Sequence, residues 1–137
     1  MTEDADAAAT VRLFHEFLEA WLGGGKPDAA ALAEALASFD PAFLCRGPDG
    51  AEQTLADLER WLDAARGTLP GIGVDIRILE CRPLGDDRVQ VRYEEHQSGP
   101  RPNARSAVAL FTGAGTRPLW LHLEERWMSA RSAALAG

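Results

Sequence analysis

Residues 88 to 97 read Arg88-Val89-Gln90-Val91-Arg92-Tyr93-Glu94-Glu95-His96-Gln97, and apolar side chains alternate with polar ones along most of this stretch. A period of two is typical of a strand with one buried face. The preceding segment has the same alternation, with apolar residues at Ile72, Val74, Ile76 and Ile78. Two more strands are predicted over about 103–112 and 118–128, separated by short loops that contain Gly and Pro. The sequence therefore predicts an antiparallel meander of four strands.

Helical periodicity dominates the chain before this meander. A first amphipathic helix is predicted over residues 7–22, ending at three consecutive glycines that begin with Gly23. Asp28 is suited to cap a second helix that runs to about Ser38, and Thr54 begins a sequence that resembles a capping box, for a third helix ending near Gly67. A short strand, Phe43-Leu44-Cys45, and a turn over residues 47–50 are predicted between the second and third helices. Helices followed by antiparallel strands indicate an α+β domain, with the N-terminal helices packed on one face of the sheet.

Length and composition restrict the class of protein. A chain of 137 residues is suited to a single domain over 1–137, with loose ends over 1–6 and 129–137. The 14 basic and 21 acidic residues give a net charge of −7, which argues against nucleic acid or an anionic membrane as the main partner. An acidic start and the lack of a long apolar run predict a cytoplasmic protein. Cys45 and Cys81 are far apart in the sequence and are interpreted as reduced thiols.

The order of these elements resembles the nuclear transport factor 2-like superfamily, the cone-shaped fold shared with ketosteroid isomerase and polyketide cyclases. Three segments carry the resemblance: residues 14–21, 43–50 and 121–127. Within the superfamily the chain is similar to small bacterial members of unknown function. The resemblance implies a strongly curved sheet, a cavity between sheet and helices, and a tendency to dimerise. It implies no activity, because this fold includes enzymes and non-enzymes and the catalytic pattern of the isomerase has no residue-by-residue match here.

Loop lengths predict how the last three strands pair. A loop over residues 98–102 places Glu95 opposite Arg105, and a loop over 113–117 places Glu125 opposite the same arginine. This register puts the apolar alternates on one face, because a slip of one residue would turn the polar side chains inward. That face ends in a row formed by Glu95, Arg105 and Glu125, followed by Gln97, Asn103 and Trp127.

Two interpretations of this row remain open. Opposite charges across strands can form an ion-pair ladder that only stabilises the sheet. Alternatively, the row is the polar end of an apolar pocket and orients a ligand. In that case the predicted walls are Phe14, Leu18, Trp21 and Trp61, and the predicted polar end is Tyr93, Glu95, Arg105, Glu125 and Trp127.

Three functions follow from these interpretations. The leading hypothesis is a protein that binds a small, largely apolar molecule without catalysis. An isomerase, cyclase or dehydratase is the second, with Glu95 or Glu125 moving a proton and Tyr93 or Arg105 stabilising negative charge. The third is a non-catalytic dimerisation or interaction module, whose interior would be filled by side chains.

The other candidate residues lead to weaker predictions. His15 is assigned to the solvent side of the first helix, and no metal-ligand spacing or cofactor motif is present, so neither a metal nor a cofactor is expected. The face of the sheet opposite the helices, here called the outer face, mixes apolar residues with charged ones. We expect a homodimer through this face, at Val108, Leu110, Trp120 and His122.

Overall fold

The alternating segments form the larger part of a six-stranded sheet. In the computed structural model, which describes residues 3–24 and 26–136, the elements in chain order are α1 (Glu3–Gly23), α2 (Ala29–Leu36), β1 (Phe39–Arg46), β2 (Glu52–Thr54), α3 (Leu55–Ala65), β3 (Gly73–Gly85), β4 (Arg88–Ser98), β5 (Asn103–Thr112), β6 (Leu119–Trp127) and α4 (Ala130–Ala136). The α+β class is confirmed.

Both predicted helix caps are present. The Asp28 side chain accepts a hydrogen bond from the Ala31 amide at 2.9 Å, although α2 ends at Leu36 and not at Ser38. Thr54 and Asp57 exchange the two hydrogen bonds of a capping box at the start of α3. A short side chain that accepts from the first-turn amides replaces the partners these amides lack within the helix.

The two ends of the described chain are helical, where the sequence predicted loose segments. Residues 3–6 belong to α1, and 130–136 form α4, whose Ser132 hydroxyl accepts a hydrogen bond from the Ala104 amide of β5 at 3.1 Å. This bond fixes the short helix against the sheet. The remainder of the predicted loose ends (Met1, Thr2 and Gly137) and Gly25 of the predicted glycine stop lie outside the described residues.

The strand order is β2-β1-β6-β5-β4-β3, so the predicted four-strand meander forms one side of the sheet. The prediction missed β2 and the extent of β1, which begins at Phe39 and pairs in parallel with β6. The sheet is therefore mixed. The pairing extends the meander by two strands, because it joins β1, from the first third of the chain, to the last strand.

The apolar face of the sheet and the helices form two adjoining core clusters. One contains the inward residues of β4 and β5 with Val11 of α1, and the other joins α1 to α3 through Leu18, Leu22 and Leu62. Phe14 packs against both clusters. The helix α1 therefore contributes side chains to both clusters and fixes the position of the residues on its buried stripe.

The pairing of β4 with β5 is confirmed at every predicted position, from Gln97 opposite Asn103 to Val89 opposite Phe111.

The predicted pairing of β5 with β6 is wrong. An irregularity at Leu121 places Trp120 opposite Phe111 and shifts the following residues by two, so that Trp127 and not Glu125 faces Arg105. A bulge of one residue shifts the alternation of side chains, so that residues after it point to the opposite face of the sheet from the one that regular alternation would give. Trp120 consequently lies in the core with 1% exposure, and its assignment to the outer face is corrected.

Candidate functional site

A cavity of about 440 Å³ lies between α1, α3 and the sheet. Most of its wall is apolar, formed by Phe14, Leu18, Leu22, Phe39, Phe43 and Leu123. Trp61 of α3 also lines it and remains 42% exposed, so this indole is at the mouth. A cavity of this volume is in the range that holds small organic molecules.

Three of the four predicted wall residues line this cavity, namely Phe14, Leu18 and Trp61. Trp21 does not. Its indole is buried in the second core cluster, where Nε1 donates a hydrogen bond to the Leu62 carbonyl at 2.8 Å and the ring stacks on Phe17. Trp21 therefore joins α1 to α3 behind the cavity.

One end of the cavity carries a polar cluster, which consists of His15, Glu95, Gln97, Asn103, Arg105 and Glu125. The helix α1 contributes the histidine, and the ends of β4, β5 and β6 contribute the rest. The inward side of each strand changes here from apolar to polar residues. The helix α1 and the ends of these three strands thus place four ionisable groups, His15, Glu95, Arg105 and Glu125, beside the apolar part of the cavity.

His15 is the residue of this cluster that the sequence reasoning assigned to the wrong environment. Its side chain is buried, with Nδ1 2.8 Å from the Val11 carbonyl oxygen and Nε2 3.2 Å from Glu95 Oε1. His15 lies four residues after Val11 and three before Leu18, which places it on the buried stripe of α1. This spacing is the feature of the sequence that indicates burial of His15.

Both ring nitrogens of His15 face acceptors, and a histidine that donates from both nitrogens is an imidazolium. Burial opposes this charge, but attraction to Glu95, the hydrogen bonds to Glu95 and Val11, and a weaker attraction to Glu125 raise the pKa of His15. Glu95 also accepts a hydrogen bond from Gln97 Nε2 at 2.7 Å. The structure therefore favours a buried ion pair between His15 and Glu95.

The same contacts keep Glu95 ionised. Burial alone would raise the pKa of its carboxyl group, but His15, Arg105 and Gln97 lower it to about 2. A carboxylate that accepts from charged donors holds its charge even without solvent. Glu95 is thus a fixed negative charge near neutral pH.

Three neighbouring side chains contact the guanidinium of Arg105. Nη1 lies 3.6 Å from Glu125 Oε1, Nη2 donates to Asn103 Oδ1 at 3.1 Å, and the guanidinium lies 4.7 Å from the centre of the Trp127 ring. Trp127 is itself fixed, since its Nε1 donates to Asp49 Oδ1 at 3.1 Å. Arg105 therefore lies between the two acids as the sequence analysis expected, but the close ion-pair partner of Glu95 is His15.

Glu125 differs from Glu95 in its protonation. Burial and the negative charge of Glu95 raise the pKa of Glu125 to about 7, while Arg105 and His15 act in the opposite direction. Two carboxyl groups at one end of the cavity thus have different proton affinities. At neutral pH, Glu95 holds its charge and Glu125 exchanges a proton.

No family model and no curated protein matches the sequence. A nuclear transport factor 2-like protein of unknown function from Pseudomonas aeruginosa superposes with a TM-score of 0.83 at 24% identity, over 90% of this chain and 99% of that one. This chain has the nuclear transport factor 2-like fold. A ketosteroid isomerase-like protein from Erwinia carotovora has a TM-score of 0.63 at 15% identity, over 91% and 92% of the two chains.

A third protein of this fold carries a bound molecule. It is a hypothetical protein with a ketosteroid isomerase-like fold from Catenulispora acidiphila, in complex with trimethylamine, and it superposes with a TM-score of 0.50 at 16% identity over 75% and 79% of the two chains. At these identities the neighbours show the fold of this chain.

Within the nuclear transport factor 2-like fold of this chain, two further titratable groups lie near the polar cluster. Tyr93 is completely buried and does not line the cavity; its ring contacts His15 edge to face at 5.5 Å, and burial raises its pKa well above the ordinary value. Cys45 lines the cavity, and burial raises the pKa of its thiol to about 12. Both groups are neutral at pH 7, so a thiolate nucleophile does not fit the site.

Buried donors without a protein partner mark the same region. Among the described residues, three buried side-chain atoms have no hydrogen-bond partner: Tyr93 Oη, Arg105 Nε and Trp120 Nε1. Arg105 and Trp120 both line the cavity. Buried polar atoms are rarely left unpaired, because each costs about 1–3 kcal/mol.

Residues 3–24 and 26–136 contain no group of three or more His, Cys, Asp or Glu side chains arranged to hold a metal ion. No helix in these segments has the length and apolar character needed to cross a membrane.

Proposed function

We propose that this protein binds a small, largely apolar molecule in the cavity, with the polar cluster orienting the polar end of that molecule. The observation that carries the proposal is the cavity itself, which has apolar walls and ionisable groups at one end. Natural ligand sites combine a large apolar lining with a few placed polar groups. The trimethylamine complex of one structural neighbour is in keeping with a small-molecule role.

A module that serves only for interaction would fill its interior with side chains, and the volume of about 440 Å³ argues against that alternative. The cost of such a hollow supports the same conclusion. Cavities lower the free energy of unfolding roughly in proportion to their volume. A cavity with no ligand would therefore lower stability without any functional gain.

The test is thermal unfolding with 2-naphthylmethanol, a neutral probe with an apolar body. A ligand that binds only the folded state raises the melting temperature as its concentration rises. We expect this rise in the natural protein and its loss in Leu123→Trp, which fills the cavity from β6. Leu79→Trp is the matched control, because Leu79 lies on β3 outside the cavity and is 41% exposed. Absence of any rise in the natural protein, or an equal rise in Leu123→Trp, contradicts the proposal.

A second candidate function is acid–base catalysis of the isomerase, cyclase or dehydratase kind. It is favoured by Glu125, which lines the cavity and whose pKa of about 7 suits a group that takes and returns a proton at neutral pH. Glu95 is less suited to this role because its pKa is low and its carboxylate is occupied by His15 and Gln97. Arg105 is the candidate for stabilising developing negative charge.

The catalytic alternative is tested on compounds that raise the melting temperature. If one of them is turned over, Glu125→Gln should lower kcat at least about a hundredfold while binding is retained. Glu95→Gln should act mainly on stability. Equal kcat in Glu125→Gln and the natural protein would exclude Glu125 as the proton carrier.

We also propose that the chain is a cytoplasmic homodimer that associates through the outer face of β5 and β6. Val108 supports this surface, because it is 39% exposed among charged neighbours. Leu110 and His122 lie beside each other on the same face and are partly exposed. Trp120 is no longer part of this surface, which makes the apolar patch smaller than the sequence suggested.

A further inference from the structure

We propose that Phe14 sets the length of the ligand, because its ring separates the cavity from a second hollow, so that the site takes a short amphiphile and excludes one with a long apolar chain. This inference rests on the proposed function, since it names the size class of the ligand for the same cavity. It starts from the second hollow, which has a volume of about 340 Å³ and lies between α1, α2 and the residues that lead into β6.

The second hollow is at the surface of the molecule. Residues of α1 and α2 form most of its lining, and Ser38, Arg117 and Pro118 complete it. Leu13 at its rim is 64% exposed, and Arg117 is exposed as well. The second hollow is therefore accessible from solvent.

Phe14 lies where two faces of α1 meet. Successive residues of an α-helix are turned by about 100° about the helix axis. This rotation places Leu18 and Leu22 on one side of Phe14, and both line the cavity. Thr10 and Phe17 lie on the other side and line the second hollow. Among the residues that the structure describes, Phe14 is the one that lines both, so it belongs to the wall between them.

Aromatic contacts hold the ring of Phe14 in this wall. The ring meets Phe39 edge to face with the ring centres 5.1 Å apart, and it meets Trp120 in the same way at 5.9 Å. Phe39 and Trp120 stack on each other with 12° between their rings, and they line the cavity without lining the second hollow. The three rings form an aromatic floor of the cavity, and Phe14 is the part of it that borders the second hollow.

The aromatic floor and the strand ends of the polar cluster lie at different levels of the sheet. Trp120 pairs with Phe111, which is six residues along β5 from Arg105. At about 3.4 Å per residue, this separation corresponds to about 20 Å of strand. Asn103 is farther still from Phe111 along the same strand. A ligand whose polar end lies at Asn103 and Arg105 therefore directs its apolar end toward the floor.

The position of Phe14 predicts how affinity depends on the length of the ligand. Each methylene group that enters an apolar site increases affinity about fourfold. A chain that has reached the floor gains nothing from further methylene groups, because they have no space in a packed wall. Affinity should therefore rise with chain length and then stop rising.

The test is isothermal titration calorimetry with straight-chain 1,2-alkanediols of 6 to 12 carbons, which share one neutral polar end. In the natural protein we expect the affinity to rise about fourfold per methylene group and to stop rising within the series. In Phe14→Ala the rise should continue to longer chains, because the chain can enter the second hollow. Phe14→Leu, which keeps more of the core filled, should shift the limit in the same direction by a smaller step and serves if Phe14→Ala does not fold.

Loss of the phenyl ring also makes room by itself, and a second variant separates the two effects. Ala35→Trp fills the second hollow from α2, and Ala35 does not line the cavity. On its own, Ala35→Trp should leave the length limit of the natural protein unchanged. Combined with Phe14→Ala or Phe14→Leu, it should bring the limit back toward the natural one by at least about two methylene groups.

Three results would overturn this inference and leave the proposed function standing. The first is an affinity that rises through the whole series in the natural protein. The second is an equal limit in the natural protein and the Phe14 variants, and the third is an equal limit in those variants with and without Ala35→Trp. Failure of every diol to bind overturns both the inference and the proposed function.

Discussion

The imidazole of His15 lies 3.2 Å from the carboxylate of Glu95, and both side chains are about 95% buried. A second pair of the same kind, His96 and Glu94, is 2.9 Å apart on the outer face, with the histidine 44% exposed. The chain thus contains one buried and one exposed example of the same contact. Comparison of the two separates the effect of burial from the effect of the contact itself.

Replacement of His15 by Leu should destabilise the protein by about 3–5 kcal/mol, because it leaves the charge of Glu95 buried without its main partner. The matched variant His96→Leu should cost less than about 1 kcal/mol, since exposed pairs contribute little. The double variant His15→Leu with Glu95→Leu should regain much of the loss, because no buried charge remains. Urea unfolding measures all three, and similar losses for the two single variants would contradict the role of burial.

Protonation of Glu125 should make stability depend on pH. The pKa of Glu125 is raised from 4.5 to about 7, so the folded state binds more protons than the unfolded state in this range and the free energy of unfolding falls as pH rises through it. His15, whose pKa is also raised, acts in the same direction. Glu95, whose pKa is lowered, contributes stability that is lost below about pH 4.5. Stability should therefore be highest near pH 5.

Glu125→Gln tests this assignment because it removes the titrating group and keeps the shape of the side chain. The decline in stability between pH 5 and pH 7.5 should become shallower, by an amount on the order of 3 kcal/mol at most. Asp75→Asn on the exposed part of β3 is the control and should leave the decline unchanged. A Glu125→Gln variant with the full decline would show that the carboxyl group is ionised in the folded protein throughout this range.

Deletion of Leu121 should abolish cooperative folding. This residue is the bulge that allows Trp120 and Glu125 to face inward on the same strand. Without it, one side of β6 must turn outward, which would expose the largest aromatic side chain of the sheet core or bury charged residues in its place. Leu121→Ala keeps the bulge and should fold with a modest loss. Circular dichroism during thermal unfolding distinguishes the two variants, and a cooperative transition in the deletion variant would contradict this role.

Val108→Glu should convert the proposed dimer into a monomer, because it places a charge at the centre of the apolar part of the outer face. Multi-angle light scattering at micromolar concentration measures the mass of each form. Leu79→Glu, on the edge strand β3, introduces the same charge away from this surface and should leave the mass unchanged. A natural protein with the mass of one chain would refute the dimer outright.

Sequence periodicity and loop length were sufficient for the β4–β5 hairpin because both point to one register. They predicted that Glu95 and Arg105 face each other, and the structure places them so. The hairpin between β5 and β6 was mispredicted because Leu119, Trp120 and Leu121 are all apolar and do not show which of them is the extra residue. The prediction that Glu125 faces inward holds in spite of this error, since a shift of two residues leaves Glu125 on the same face of the sheet.

Other features of the site depend on contacts between distant segments, which a local pattern does not reveal. The parallel pairing of β1 with β6 has no local signal, because it is formed by chain segments far apart in the sequence. The partner of Glu95 was missed because His15 was interpreted as polar, although its spacing belongs to the buried stripe. The unpartnered donor of Trp120 could not be foreseen once that residue was assigned to the outer face.

The β1–β6 pairing also has a consequence for synthesis of the chain. Phe39 pairs with Trp120, which leaves the ribosome roughly 80 residues later. Until then the apolar residues of β1, Phe39 and Phe43 among them, lack the strand beside which they pack in the folded protein and remain in contact with water. Recognition by chaperones should therefore concentrate on the first third of the protein, and end when the final strand emerges.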